Sequence, residues 1–146
     1  MFSIYILELE GNRYYIGKTK DTTTRIKKHF KGYGSEYTKK YKPIKIEKIH
    51  YNSDDELKYT LEYMKKYGIE NVRGGPFVRL ILPREYVVTI KQILSCQDDR
   101  CFNCGEAGHY VRECKMNKKD ENIGFIKKCS NMYNNFAKYI NFYLAS

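Results

Sequence analysis

Apolar and β-forming residues alternate loosely from Ile4 to Leu9, Gly11-Asn12 supplies a turn, and Arg13 to Ile16 resumes the alternation. Residues 3–17 therefore predict a β-hairpin. The period then changes. Asp21-Thr22-Thr23 offers helix N-caps, and Ile26 with Phe30 forms an i, i+4 apolar stripe to about Lys31, ended by Gly32 and Gly34. A short basic segment follows, with Tyr33, Tyr37 and Tyr41 spaced four apart. Pro43 opens a third strand, Ile44 to Tyr51, whose apolar members are Ile44, Ile46 and Ile49. Ser53-Asp54-Asp55-Glu56 has capping-box spacing, and helical patterning runs from there to Tyr67, with Gly68 as the stop. Residues 71–76 read as a glycine-rich loop around Arg73-Gly74-Gly75, and 77–82 as a short strand or loop. Pro83 then starts a helix over Arg84 to Leu94.

The division that follows is a domain over 1–94, a linker over 95–99, a miniature unit over 100–115 and a tail over 116–146. In the tail, Ile126, Cys129, Tyr133, Phe136, Ile140 and Tyr143 lie at helical spacing, which predicts an amphipathic helix. Such a helix would pack on the body or on a second copy of the chain, giving a homodimer. A chain of 146 residues holds one ordinary core and an appendage, and 42% apolar content is too rich for a disordered polymer. No apolar run approaches the roughly 18 residues of a membrane span. The opening residues carry no basic start and Glu8 and Glu10 interrupt their apolar stretch, so the expectation is an intracellular protein with no membrane partner.

The formal net charge is +10, with +7 of it in residues 1–50, +1 in 51–94 and +2 in 95–146. Lys18, Lys20, Arg25, Lys27, Lys28 and Lys31 form one cluster, and Lys39, Lys40, Lys42, Lys45 and Lys48 another. So basic a region suits a polyanion, nucleic acid foremost; the plain alternative is a solvated surface.

Three of the five cysteines flank a histidine as C-x2-C-x4-H-x4-C: Cys101, Cys104, His109 and Cys114. Four such ligands within fourteen residues suit one closed tetrahedral Zn²⁺ site, and the metal would supply folding energy that so short a segment cannot bury. Gly105 and Gly108 let the backbone wrap the ion. The run Cys101-Phe102-Asn103-Cys104-Gly105-Glu106-Ala107-Gly108-His109 resembles the CCHC zinc knuckle. That resemblance implies single-stranded nucleic-acid binding, with Phe102 and Tyr110 against bases and Arg112 and Lys115 against phosphate. Some knuckles bind proteins instead. Cys96 and Cys129 are left as plain thiols.

The hairpin carries Ser3-Ile4-Tyr5 on one strand and Tyr15-Ile16-Gly17-Lys18-Thr19 on the other, followed by Arg25 and His29. Over about residues 1–80 this resembles the GIY-YIG nuclease superfamily, with Ser3 where that family usually has Gly. The resemblance implies an α+β fold, a small three-stranded antiparallel sheet flanked by helices. It also implies a DNA endonuclease dependent on Mg²⁺ or a similar divalent ion; as nucleic-acid partner DNA is favoured and RNA is the alternative. Tyr5 would be the general base or its orienting partner, Tyr15 would position water, Arg25 would hold the scissile phosphate and His29 would carry a proton. Lys18 and Arg25 beside the two tyrosines would depress their phenolic pKa values. Asn71 matches a family asparagine.

The family's metal-binding carboxylate is the open position. Aligning residues 59–67 by their basic-aromatic end puts Thr60 there. Glu62 would need a two-residue shift, about 200° round a helix. Glu56, one turn before Thr60 on the same face, is the other candidate, although the capping box gives it a structural use. Residues 67–75 also resemble an extension in GIY-YIG-like proteins of large DNA viruses. Two readings compete with an active endonuclease: a degenerate nuclease fold kept for nucleic-acid binding, and a zinc-stabilised protein-interaction factor.

Overall fold

The predicted hairpin forms as β1 (Ser3–Leu9) and β2 (Arg13–Thr19), antiparallel, with Tyr5 opposite Gly17 and Leu7 opposite Tyr15. Gly11 and Asn12 take the positive φ values, 73° and 56°, that the tight turn requires. These come from a computed structural model that describes residues 1–97, 107–109 and 111–115. The 116–146 tail, and with it any dimer through its helix, lies outside the described residues.

After the hairpin come α1 (Thr22–Phe30), α2 (Glu36–Lys40), β3 (Pro43–His50), α3 (Glu56–Tyr67), a short 3₁₀ turn (Ile69–Asn71) and β4 (Val72–Gly74), then α4 (Arg84–Gln97). The sheet order is β3-β1-β2-β4, with β3 antiparallel to β1 and β4 parallel to β2. The class is α+β as expected, but the sheet has four strands and is mixed. The fourth strand arises inside the segment read as a glycine-rich loop. Its anchor is Arg73, buried and donating from Nε to the Arg79 carbonyl (2.8 Å), from Nη1 to those of Ile69 (2.8 Å) and Val72 (2.7 Å), and from Nη2 to that of Leu80 (3.1 Å). A guanidinium so occupied is not offered to a phosphate.

Alternation along β1 and β2 sorts their side chains onto two faces. Tyr5, Leu7, Leu9 and Tyr15 share one with Ile26 of α1 and Tyr37 of α2, and Tyr41, Ile49 and Leu80 pack at its margin. Ile4, Ile6 and Ile16 are buried on the other, and α3, which lies on β2 and β4, buries Leu61 and Met64. Each such aliphatic side chain contributes about 1.5–3 kcal/mol of transfer free energy.

Several expectations change in detail. Asp21 does cap α1, accepting from the Thr24 amide, but the second buried position of that helix is His29, and Phe30 is 45% exposed. Tyr37 and Tyr41 belong to a helix and its cap, not a bare basic segment, because Ser35 accepts from the Thr38 amide and starts α2. In β3 only Ile49 reaches the core; Ile44 and Ile46 lie exposed on an edge strand whose pairing slips twice along β1. The cap of α3 is Asp55, accepting from the Lys58 amide, so Ser53 makes no capping box and Glu56 is released from that use.

The chain divides into two units, 1–87 and 88–146. In the second, α4 continues to Gln97, past the Leu94 limit expected, and buries Ile90 and Ile93. A single 3₁₀ turn, Val111–Glu113, is described in the knuckle segment. No helix among the described residues is long and apolar enough to cross a membrane.

Candidate active site and zinc knuckle

The register of the hairpin places Gly17 directly opposite Tyr5, and a Cβ on Gly17 would collide with the Tyr5 phenol. The glycine of the Tyr-Ile-Gly run is therefore there for space. Into that space α1 sends two side chains. The Tyr5 hydroxyl lies 2.9 Å from His29 Nε2, and Arg25 Nε donates to the Tyr5 oxygen at 3.3 Å. The Tyr15 ring lies 4.9 Å from the His29 ring and 6.4 Å from that of Tyr5, centroid to centroid. Tyr5, Tyr15, Arg25 and His29, singled out from sequence, thus form one cluster. Tyr5, Tyr15 and His29 are buried, and Arg25 is half-buried.

Burial reverses the expected acidity of the phenols. Desolvation raises the pKa of Tyr5 above the ordinary tyrosine value, the neighbouring Tyr15 raises it further, and the Arg25 bond recovers only part. Tyr15 is also raised, by burial and then by the charge of Glu56, against lowering contacts from Ser35 and Arg25. Nearby cations, which the sequence displays, are outweighed by loss of water, which it does not. His29 is pushed down to about 4, first by burial and then by Arg25, so the imidazole is neutral at pH 7.

Two members of the cluster escaped the sequence reading. Thr38, buried on α2, lies 2.9 Å from His29 Nδ1 through Oγ1, and its hydroxyl donates to the Ser35 carbonyl at 3.0 Å. Ser35 Oγ lies 3.3 Å from Thr38 Oγ1 and its contact with Tyr15 favours the phenolate there. The available signal was Gly34-Ser35: a cap residue behind a glycine whose Cβ would strike both His29 and Thr38.

Among the carboxylates, Glu56 reaches the cluster. It starts α3, is half-buried, and accepts from the Gly75 amide at 3.2 Å. Its charge bears on both Tyr5 and Tyr15. Burial raises its pKa, while the Gly75 amide, the Lys18 ammonium and amide, and Arg25 oppose that rise. Thr60, at the position expected from the alignment, is fully buried, donates to the Glu56 carbonyl at 2.8 Å and packs against Gly74. Glu62 is exposed, its charge felt by His50. Asn71 donates to the Tyr67 carbonyl at 2.9 Å, at the end of α3 remote from Glu56, about 16 Å along the helix. Lys18 is exposed, with its ammonium 4.7 Å from the Phe2 ring centre and that of Lys20 at 5.1 Å. Glu56 is therefore the carboxylate whose charge bears on the tyrosines, whereas Glu62 is exposed and Asn71 is tied to the far end of α3. One half-buried carboxylate suits a hydrated Mg²⁺, which takes one or two carboxylates and keeps several waters. Among the described residues no three acidic, histidine or cysteine side chains gather as a metal cage.

Of the knuckle ligands, His109 is half-buried and Cys114 buried, with Gly108 at φ 91° before the histidine. Arg112 and Lys115 are exposed. Cys101, Phe102, Cys104 and Tyr110 lie outside the described residues. A soft thiol and an imidazole are a fitting half of a tetrahedral zinc donor set.

The GIY-YIG catalytic domain matches residues 1–67 and the zinc knuckle matches 99–116. A UPF0213 protein of Halalkalibacterium halodurans is 32% identical over 81 residues, 51% of this chain and 86% of that protein. One of Fusobacterium nucleatum is 33% identical over 67 residues, 45% of this chain and 67% of its own, and one of Cupriavidus necator 40% over 43 residues, 30% and 47%. No solved structure matches the chain. Fold, tyrosine hairpin and arginine helix define a nuclease-type domain joined to a nucleic-acid-binding module. The chain belongs to the GIY-YIG family and carries a CCHC zinc knuckle behind that domain.

Proposed function

We propose that the protein is a divalent-metal-dependent endonuclease acting on DNA, with the knuckle adding affinity for the nucleic acid. The observation that carries this reading is the Glu56 carboxylate beside Tyr5, Tyr15 and Arg25, one turn before the threonine at the family position. A bound Mg²⁺ held by Glu56 would stabilise charge developing on the phosphate oxygens. The side chains supply the rest. Arg25 holds the phosphate. The Tyr5 oxygen takes a proton from the attacking water as its own O–H proton passes to His29 Nε2. The hydroxide forms its bond to phosphorus, the bond to the leaving oxygen breaks, and that oxygen takes a proton from solvent. The imidazolium then returns its proton through Tyr5. His29 is neutral at working pH, so one ring nitrogen is open to accept that proton.

The test is nicking of supercoiled DNA with Mg²⁺. Tyr5→Phe and Arg25→Ala are each expected to lower the rate at least ~10²-fold while the fold persists by circular dichroism. Full activity in both variants contradicts the assignment. The degenerate-fold reading has Thr60 in its favour. It predicts salt-sensitive binding to DNA or RNA with no metal-dependent cleavage of either.

A further inference from the structure

His29 is fully buried, and only one of its two ring nitrogens can accept the Tyr5 proton. The hydrogen bonds around it form a chain with an obligatory direction at each end. At one end stands the Ser35 carbonyl, which can only accept; the Thr38 hydroxyl donates to it at 3.0 Å and so spends its single proton. Thr38 Oγ1 must then accept from His29 Nδ1, 2.9 Å away, and Nδ1 carries the imidazole proton. At the other end stands Arg25, which can only donate; its Nε–H occupies the Tyr5 oxygen at 3.3 Å. That leaves the Tyr5 proton free, and among the described residues the one partner within reach that can take it is His29 Nε2, 2.9 Å away, once Nδ1 holds the imidazole proton. The Thr38 end sets the direction, and the Arg25 end is compatible with it.

We infer that Thr38 is a positioning residue, which with the Ser35 carbonyl locks His29 in the tautomer whose Nε2 faces Tyr5 as an acceptor. The surroundings keep the lock dry and tight. Thr38 is 1% exposed, and a Cβ on Gly34 would collide with both His29 Nδ1 and Thr38 Oγ1, so the glycine clears the path of their bond. Ser35 Oγ caps α2 by accepting from the Thr38 amide at 3.3 Å, which fixes the backbone of the residue that reads the histidine. Without the Thr38 oxygen, a neutral His29 would bury an unpartnered N–H or move its proton to Nε2. The second choice takes away the acceptor that faces the Tyr5 hydroxyl proton. The kinetic consequence of the lock rests on the nuclease reading; the direction of the chain does not.

The deciding experiment is long-range ¹H–¹⁵N correlation of the histidine rings in the full-length, uniformly ¹⁵N-labelled protein near neutral pH. The expected result is a His29 ring with Nδ1 protonated and Nε2 bare. In Thr38→Val, which keeps shape and loses the hydroxyl, the ring shifts toward the Nε2–H form; Thr38→Ser restores the original pattern. An Nε2–H tautomer in the unsubstituted protein, or a ring in Thr38→Val unchanged from it, overturns the inference. Should Thr38→Val fail to fold, Thr38→Ala, which also removes the hydroxyl, takes its place with the same two outcomes. With DNA and Mg²⁺, kcat in Thr38→Val is expected to fall about 10²-fold at constant KM and to recover within a few-fold in Thr38→Ser. A protein that cleaves nothing defeats the nuclease reading and leaves the imidazole spectrum to judge Thr38.

Discussion

His29 sits among Tyr5, Tyr15 and Arg25 without exposed surface, and its pKa is held down to about 4. In the unfolded chain it takes a proton near pH 6.5. Between those values the unfolded state binds more protons, so stability falls as pH drops from about 6.5 to about 4. The loss attributable to His29 approaches about 3 kcal/mol. Glu56 opposes it, because burial raises that carboxyl and its protonation favours the fold. Urea denaturation from pH 7.5 to 4 is expected to show a falling limb that is flattened in His29→Gln; equal slopes in both proteins would contradict the assignment. The four residues of the cluster named from sequence were legible because their types and spacing are distinctive. Thr38 was not, since nothing local distinguishes a threonine that meets a histidine nine residues away through a turn. Nor was the direction of the phenol shifts, because charge is written in the sequence and desolvation is not.

At the scale of elements, α3 shows what one change of cap does. With Ser53 as cap, Glu56 would bend back on its own helix; with Asp55 as cap, it is free to accept from Gly75 and face the tyrosines. The helix itself was readable from its periodicity, but its cap was not: capping-box spacing points to Ser53, whereas the chain enters the helix at Asp55. β4 was hidden for a related reason. Three residues with two glycines in the vicinity read as loop, and the strand exists because Arg73 gathers four carbonyls. Arg73→Met is expected to cost at least about 3 kcal/mol in chemical denaturation, since those carbonyls lose their donor in a buried place. A loss under about 1 kcal/mol would show that the strand does not depend on it. Gly17→Ala should displace Tyr5 and lower cleavage at least ~10²-fold even where the protein stays folded; near-normal cleavage would remove the close approach from the account.

For the whole molecule, charge and metal set affinity. Within residues 1–50, ion pairs among the described residues engage Lys39 and Lys45. Much of the positive excess in that third is thus open to phosphate, and log K for DNA should fall linearly with log salt. Cys114→Ser or a zinc-selective chelator is expected to weaken binding to single-stranded nucleic acid about ten-fold or more. Unchanged affinity would make the knuckle a protein-binding device. Which carboxylate would hold the metal is decided by Mg²⁺-dependent nicking of supercoiled DNA by three proteins side by side. The unsubstituted chain and Glu62→Gln are expected to cleave alike. Glu56→Gln should lose at least ~10²-fold in rate while gaining stability at pH 7, because a half-buried, partly desolvated charge has gone. Cleavage lost in Glu62→Gln and kept in Glu56→Gln would contradict the account.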